Sequence, residues 1–366
     1  MNKKISFAGP SITQKEIDYV VDGVKNGFYE TYDQHTKRLE KAICDYVGVK
    51  YAVATHCCTL ALHLACSTLG FKQEDEIICT DSSWVATSYA IDYTGATPVF
   101  VDIDPDTWCI DPEAIRKAIT PKTKAIMLVH MFGQPAEMDE IMAIAREHDL
   151  HVIEDAAPAL GSTYKGQKTG SFGDIGCFSF QGAKIAVSGE GGILVTNNEE
   201  LFQRATLLGS MGRTDSQSVF WSDMIGYQYT IANLTASLAL AQVERIEELV
   251  ELKRKIFGWY DQRLGNIPGI KIIREKPDCR SNCCYPSILL EDTIKVDRDA
   301  ILKHFKDRNI HARPGFPQMS CFPVHNQRFS NPVAKKVAER GISLPSAANL
   351  EEEDIDLVCR TLLSLV

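Results

Sequence analysis

KAIMLVHMFGQPAEMDEIMAIAREHDLHVIEDA, residues 124–156, decides the architecture. It opens on a short apolar run, KAIMLVH (124–130), crosses an amphipathic stretch, MDEIMAIAREHDL, and ends on a β-branched run, HVIEDA (151–156). Short apolar runs without polar alternation read as strands covered on both faces, and the segment between them carries helical periodicity. Strand, helix and strand in succession imply parallel strands of one sheet.

The alternation extends in both directions. YAVAT (51–55), EIICT (76–80), TPVFVDI (97–103), DIGCFSF (174–180) and GGILVT (191–196) are further strand candidates. TLALHLACSTLG closes a helix with Gly70 at its C-cap, and DPEAIRKAIT opens one with Asp111 as N-cap and Pro112 in the first turn. A long helical segment is expected from Asn233 to Leu264. Beyond it, CCYPSILLED and IHARPGF read as strands, and RDAILKHFKDRN, NPVAKKVAERG and EEDIDLVCRTLLSLV as helices. The expected division is a large α/β domain over residues 1–250, with a mostly parallel sheet, and a smaller α+β domain over 251–366.

Composition narrows the function. The 366 residues carry a net charge of −9, with no long basic run, which argues against nucleic acid as a partner. No run of about 18 apolar residues occurs, so no membrane span is expected, and MNKKISFAGPSITQKEIDYV lacks the apolar core of a signal peptide. Of twelve cysteines, Cys44, Cys66, Cys79, Cys109, Cys177 and Cys359 fall in apolar segments, where cysteine acts as a small hydrophobe. The pairs Cys57–Cys58 and Cys283–Cys284 lack C-x-x-C spacing, and Cys279 with Cys283 and Cys284 has no fourth ligand nearby, so no metal site is expected. A reducing cytoplasm is the expected location.

Four features could carry chemistry. Asp155 ends a buried strand, where open α/β sheets place their ligands, although an N-cap is the simpler reading of it alone. In THCCTLALHLA a strand runs into a helix start, so the amides of Cys58 and Thr59, with the Thr59 hydroxyl, form a phosphate site or merely a cap. Trp84, in DSSWVATSYA, offers a flat face to a ring or is a core aromatic. Lys184, in SFQGAKIAVSGEGG (179–192), stands in an apolar stretch just ahead of a glycine-rich turn. No G-x-G-x-x-G or P-loop follows any strand, which leaves nicotinamide and ATP chemistry without support. Together the four match pyridoxal 5′-phosphate: a carboxylate for the pyridine nitrogen, a lysine for the Schiff base, a helix start for the phosphate and an aromatic plate.

With these residues in place, the sequence resembles the DegT/DnrJ/StrS-type sugar aminotransferases of the aspartate aminotransferase fold (fold type I), nearest in pattern to nucleotide-sugar 4-aminotransferases. The resemblance runs nearly end to end, through ATPVFVDIDPDTWCIDP, VHMFGQPAEMDEI, VIEDAAPALGSTYKGQKTGSFGDIGCFSF, AKIAVSGEGGILVTN, IGYQYTIANLTASLALAQVERI and ISLPSAANLEEEDID. The ordered combination of EDAA, G-x-F-G-D and K-x(4)-GEGG is its specific signature.

It implies that Lys184 is the Schiff-base lysine and moves the proton between substrate and cofactor carbons. It further implies that Asp155 pairs with the pyridine nitrogen, Trp84 stacks on the ring, and Cys58, Thr59 and Ser179 hold the phosphate. Gln228 matches an asparagine that reaches the phosphate from the neighbouring subunit, which implies a homodimer with shared active sites. Departures occur at Cys58 (usually glycine), Pro158 (often polar), Thr230 (commonly arginine), and at Pro317 and Ser320 (tyrosine and histidine in the family's R-P-x-F-Y-P-x-H). The last three fall where substrate is expected.

The expected reaction moves an amino group from L-glutamate to a nucleotide-linked keto sugar, at C4 of a 4-keto-6-deoxyhexose, for surface polysaccharides such as O-antigen. A 3-keto sugar or keto cyclitol would use the same chemistry. A dehydratase of the family would carry histidine at Lys184, a non-catalytic regulator binding pyridoxal phosphate is the alternative from another class, and a Rossmann oxidoreductase lacks its glycine fingerprint.

Overall fold

The computed structural model describes residues 3–213 and 221–366. Seven short apolar runs become strands: β1 (Tyr51–Thr55), β2 (Glu76–Thr80), β3 (Thr97–Val101), β4 (Thr123–Val129), β5 (His151–Asp155), β6 (Ile175–Ser179) and β7 (Gly192–Thr196). They form one sheet in the order β1-β7-β6-β5-β4-β2-β3. β7 is antiparallel to both neighbours, while β6, β5, β4, β2 and β3 pair in parallel.

Both faces are buried. On β2, Ile77 and Cys79 enter one core with Leu62, Leu64 and Cys66 of the Cys58–Leu69 helix. Ile78 between them enters a second core, with Ile141 and Ile144 of the Met138–His148 helix. That period of two explains the unbroken apolar strands: each face needs its own set.

A second sheet takes Ile270–Ile272, Ser287–Leu290, Gly341–Ser343 and Arg313–Pro314 in that order, all antiparallel. Its core contains Ile256 and Tyr260 of the Ile246–Leu264 helix, Ile355 and Leu362 of the last helix, and Ile5 from the other end of the chain.

Two expected elements differ. The helix expected over 233–264 is two, Asn233–Val243 and Ile246–Leu264. Between them Arg245 leaves the helical region (φ −111°, ψ 11°). Its guanidinium is buried on Glu16 at 2.7 Å and on the Ser11 carbonyl at 3.1 Å. A buried charge keeps its partners at the expense of the helix, and no glycine or proline announces the break. IHARPGF supplies only Arg313–Pro314 as strand; the Gly315 amide still bonds the Gly341 carbonyl at 2.8 Å, and a Cβ there would meet the Val337 carbonyl at 2.3 Å.

Candidate active site

The loops leaving β1, β2, β4, β5 and β6 at their C-terminal ends surround a cleft of about 410 Å³. Ligands of open α/β sheets bind at this edge. Six of the seven residues singled out in the sequence line it: Cys58, Thr59, Trp84, Asp155, Ser179 and Lys184. Gln228 does not. It lies exposed on the segment before the Asn233–Val243 helix, its amide donating to the Thr230 hydroxyl at 2.9 Å.

Asp155 is the last residue of β5 and is 5% exposed. Its Oδ2 accepts the Thr87 hydroxyl at 2.7 Å and its Oδ1 the Ala157 amide at 3.1 Å. Burial pushes its carboxyl above the usual range, opposed by those two bonds and by the charge of Lys184. Glu154, one residue earlier, points to the other face. It accepts the amides of Gly170, Phe172 and Gly173 at 2.7 Å each and the His130 ring at 2.9 Å. The EDAA and G-x-F-G-D motifs are thus one device, with Glu154 as the clamp on the turn.

Lys184 sits in the excursion between β6 and β7. The Ser188 amide bonds the Phe180 carbonyl at 2.7 Å and the Gly182 amide bonds the Gly189 carbonyl at 3.0 Å, closing the loop at its base. Gly189 and Gly191, at φ 85° and 132°, make the return. The Lys184 amide bonds the Gln181 carbonyl at 2.8 Å, and the Tyr285 hydroxyl holds the Ala183 carbonyl. Among the described residues, no hydrogen bond or ion pair engages the Lys184 amine.

The Cys58–Leu69 helix starts at the cleft with no side-chain cap on Cys57. The amides of Leu60 and Ala61 turn back to the Cys57 carbonyl at 3.2 Å, leaving those of Cys58 and Thr59 for an anion. Burial drives the Cys58 thiol well above its ordinary range, so it stays neutral and the anion meets only its amide. The helix start approaches β7 closely: a Cβ on Gly192 would lie 2.5 Å from the Cys58 nitrogen.

Trp84 is 63% exposed on the cleft wall, which removes the core-aromatic reading. Pro158 lines the cleft as well. Ser320 does not: it is buried, and its amide and hydroxyl both bind Asp81, at 2.7 and 2.8 Å. The expectation that this position meets substrate is therefore corrected, and Arg313, Pro314 and Phe316 of the same segment line the cleft instead.

The opposite wall was not foreseen. Phe7 stacks on Tyr285 at 5.0 Å, Phe132 meets Tyr285 edge-on at 5.7 Å, and the Arg313 guanidinium lies 4.6 Å from the Phe7 ring centre. Lys184 and Arg313 are the cationic side chains of the lining, Asp155 and Glu190 the acidic ones. The donor set fits pyridoxal phosphate: an oriented buried carboxylate, an unengaged amine, and an uncapped helix start flanked by the hydroxyls of Thr59 and Ser179. Among the described residues, no group of three or more histidine, cysteine or acidic side chains could hold a metal ion.

Comparison with known proteins agrees with this geometry. The DegT/DnrJ/EryC1/StrS aminotransferase family model matches residues 10–363. The chain is 37% identical over 363 residues to the GDP-perosamine synthase of Caulobacter vibrioides, covering 98% of this chain and 97% of that one. It is 35% identical over 361 residues to the enzyme of the same name from Escherichia coli O157:H7, covering 98% of each. Among solved structures, the aminotransferase TlmJ from Streptoalloteichus hindustanus superposes with a TM-score of 0.92 at 27% identity, covering 98% of both chains. The chain belongs to the DegT/DnrJ/EryC1/StrS aminotransferase family and is a pyridoxal phosphate-dependent sugar aminotransferase.

Proposed function

We propose that the chain transfers the amino group of L-glutamate to C4 of a nucleotide-linked 4-keto-6-deoxyhexose. The observation that carries this reading is the convergence of Lys184, Asp155 and the uncapped Cys58–Leu69 helix start on one cleft. The two relatives named as GDP-perosamine synthases support a sugar amine at C4 and a guanosine diphosphate carrier.

Pyridoxal phosphate, when bound, supplies an aldehyde that carries the amino group between substrates and a ring that spreads the developing negative charge. Lys184 would hold that aldehyde covalently. As a free amine its Nζ would take the proton from the donor's α-carbon, and in the second half-reaction it would deliver a proton to C4 of the acceptor. Asp155 would pair with the ring nitrogen, Trp84 would offer its face to the ring, and Cys58, Thr59 and Ser179 would hold the phosphate. Both substrates are anionic, and Arg313 is the cation this chain offers them besides Lys184.

A homodimer completes the reading. Phe28, Tyr29 and Leu234 stand 59, 89 and 46% exposed, and the Asn233 side chain donates to the Gly27 carbonyl, placing them on adjoining segments. Covering that surface with a second copy would let Gln228 reach the partner's phosphate site. The amino sugar would then serve surface polysaccharide synthesis in the cytoplasm.

The test incubates the enzyme with glutamate and a guanosine diphosphate-linked 4-keto-6-deoxyhexose, and follows amino sugar and 2-oxoglutarate by mass spectrometry. A 3-keto sugar and a keto cyclitol run in parallel. Amination of either in preference to the 4-keto sugar moves the acceptor assignment, and no 2-oxoglutarate with any acceptor overturns the transaminase reading. Light scattering that gives a monomer, or a Gln228→Ala variant with unchanged affinity for pyridoxal phosphate, would remove the shared site.

A further inference from the structure

Asp155 is held by a side chain that the reaction scheme does not yet use. Thr87 is fully buried in the first turn of the Ala86–Asp92 helix, and its hydroxyl donates to Asp155 Oδ2 at 2.7 Å. A hydroxyl carries one proton, and the carboxylate takes it. The contact of 3.1 Å between Thr87 Oγ1 and Ser83 Oγ must then run the other way, with Ser83 donating. Ser83 is 4% exposed and lines the cleft, so a directional chain runs from the cleft wall through Thr87 to Asp155.

We propose that Ser83 and Thr87 are positioning residues for the transamination, fixing the orientation and charge of the carboxylate that the ring nitrogen meets. The inference rests on the role given to Asp155 above.

Three observations favour this over a local capping role. The Thr87 side chain bonds a carboxylate 68 positions away rather than a carbonyl of its own turn. Both hydroxyls flank Trp84, whose carbonyl accepts the Thr87 amide at 3.2 Å, so one turn sets the stacking face and the ring-nitrogen partner together. Finally, Thr87 is the one fixed side-chain donor to Asp155 among the described residues. The other hydrogen bond to the Asp155 carboxylate comes from the backbone, the Ala157 amide on Oδ1 at 3.1 Å, and further groups reach it through charge. Lys184 and His130 favour its ionised form, while the thiols of Cys58 and Cys177 feel its charge from the helix start and from β6. The Lys184 proton moves during the reaction, whereas the hydroxyl bond does not depend on it. Burial opposes the ionised carboxylate, and the Thr87 bond offsets that opposition.

The experiment compares Thr87→Val, Thr87→Ser and Ser83→Ala with wild type and with Asp155→Asn. Three quantities are read: the dissociation constant of pyridoxal phosphate from the apoenzyme, the pH midpoint of the bound cofactor's visible absorbance, and the acid limb of kcat. Loss of a hydrogen bond to a charged group is expected to move the midpoint and the acid limb up by about one unit in Thr87→Val, because a more basic Asp155 needs a higher pH to stay ionised. Cofactor binding should weaken about tenfold. Thr87→Ser should restore both, and Ser83→Ala should shift both part of the way. A purely structural role would lower the apoenzyme's Tm and leave the pH midpoint in place. Should Thr87→Val fail to fold, Thr87→Cys, a weaker donor of similar size, must shift the midpoint in the same direction. Wild-type midpoint and affinity in Thr87→Val or Thr87→Cys, alongside a perturbed Asp155→Asn, overturn this inference alone. A silent Asp155→Asn overturns the role of Asp155 and this inference with it.

Discussion

Replacing Gly192 by alanine tests the phosphate site through its backbone, without touching a side chain of the cleft. The added Cβ would stand 2.5 Å from the Cys57 carbonyl carbon and the Cys58 nitrogen, and 2.6 Å from the Cys57 oxygen. Gly192 is paired with Thr55 of β1 on one side and Ser179 of β6 on the other, so the strand cannot retreat. The helix start must give instead, from 2.5 Å to the 3.4 Å of ordinary contact, about 0.9 Å. Crowding of this kind costs about 1–3 kcal/mol of stability. Moving two amides by that distance forfeits one charge-assisted bond to the phosphate, about 1.5–3 kcal/mol, which is roughly a 10- to 100-fold weaker cofactor complex. Fluorescence titration of the apoenzyme with pyridoxal phosphate measures the loss, and titration with pyridoxal, which lacks the phosphate, separates it from general damage. Equal weakening of both ligands, or of neither, would refute a phosphate site at Cys58 and Thr59.

Lys184→Ala is expected to keep its Tm, since the amine engages no other described side chain, and to lose turnover by at least roughly 10²–10⁴-fold. Borohydride reduction followed by peptide mapping should label Lys184 in the wild type and nothing in the variant. Glu40 accepts the Ala54 amide at 2.9 Å, and burial pushes its carboxyl up to about 7. The folded chain thus holds an extra proton between pH 4.5 and about 7, and stability falls as pH rises through that window. Glu40→Gln, which keeps an acceptor for Ala54, should match wild type near pH 4 in urea unfolding and exceed it by roughly 2–3 kcal/mol at pH 8. Ser320→Ala should cost about 1–2 kcal/mol through its lost bond to Asp81, with kcat/KM for the sugar unchanged. An altered acceptor preference in that variant would place Ser320 at the substrate after all.

The strands and two helix ends were legible because their signals are local. Apolar runs of five to seven residues, Gly70 at φ 80° and Asp111 capping the Glu113 amide are readable within a few positions. Cys58, Thr59, Trp84, Asp155 and Lys184 drew notice the same way, at a strand end or in the loop or helix start that follows one, whereas Ser179 and Gln228 were named by the resemblance alone. Illegible features share another property: they depend on partners far along the chain. The break at Arg245 follows from Glu16, 229 positions away, and the Asp155 to Thr87 bond spans 68. The aromatic wall joins Phe7 to Tyr285. Ser83 and Thr87 did leave a faint signal, two hydroxyls four positions apart around Trp84, but nothing nearby in the sequence says which acid they serve.

Glu154 and Asp155 show why a site of this kind is economical to encode and hard to alter. Successive strand residues face opposite sides, so one two-residue step divides the labour between chemistry and scaffold. Asp155 faces the cleft with an oxygen for each of two donors. Glu154 faces the core, and three amides of the Gly170–Asp174 turn close on it within 2.7 Å. That turn in turn fixes β5 to β6: the Asp174 carboxylate accepts the Val152 amide at 2.8 Å, and the strand that follows delivers Ser179 and then Lys184 to the cleft. A change at Glu154 would strand three amides at once, that of Gly170 buried and those of Phe172 and Gly173 partly so, and is expected to displace the lysine without touching it. The carboxylate that makes no contact with the cleft therefore governs its geometry as firmly as the one that does.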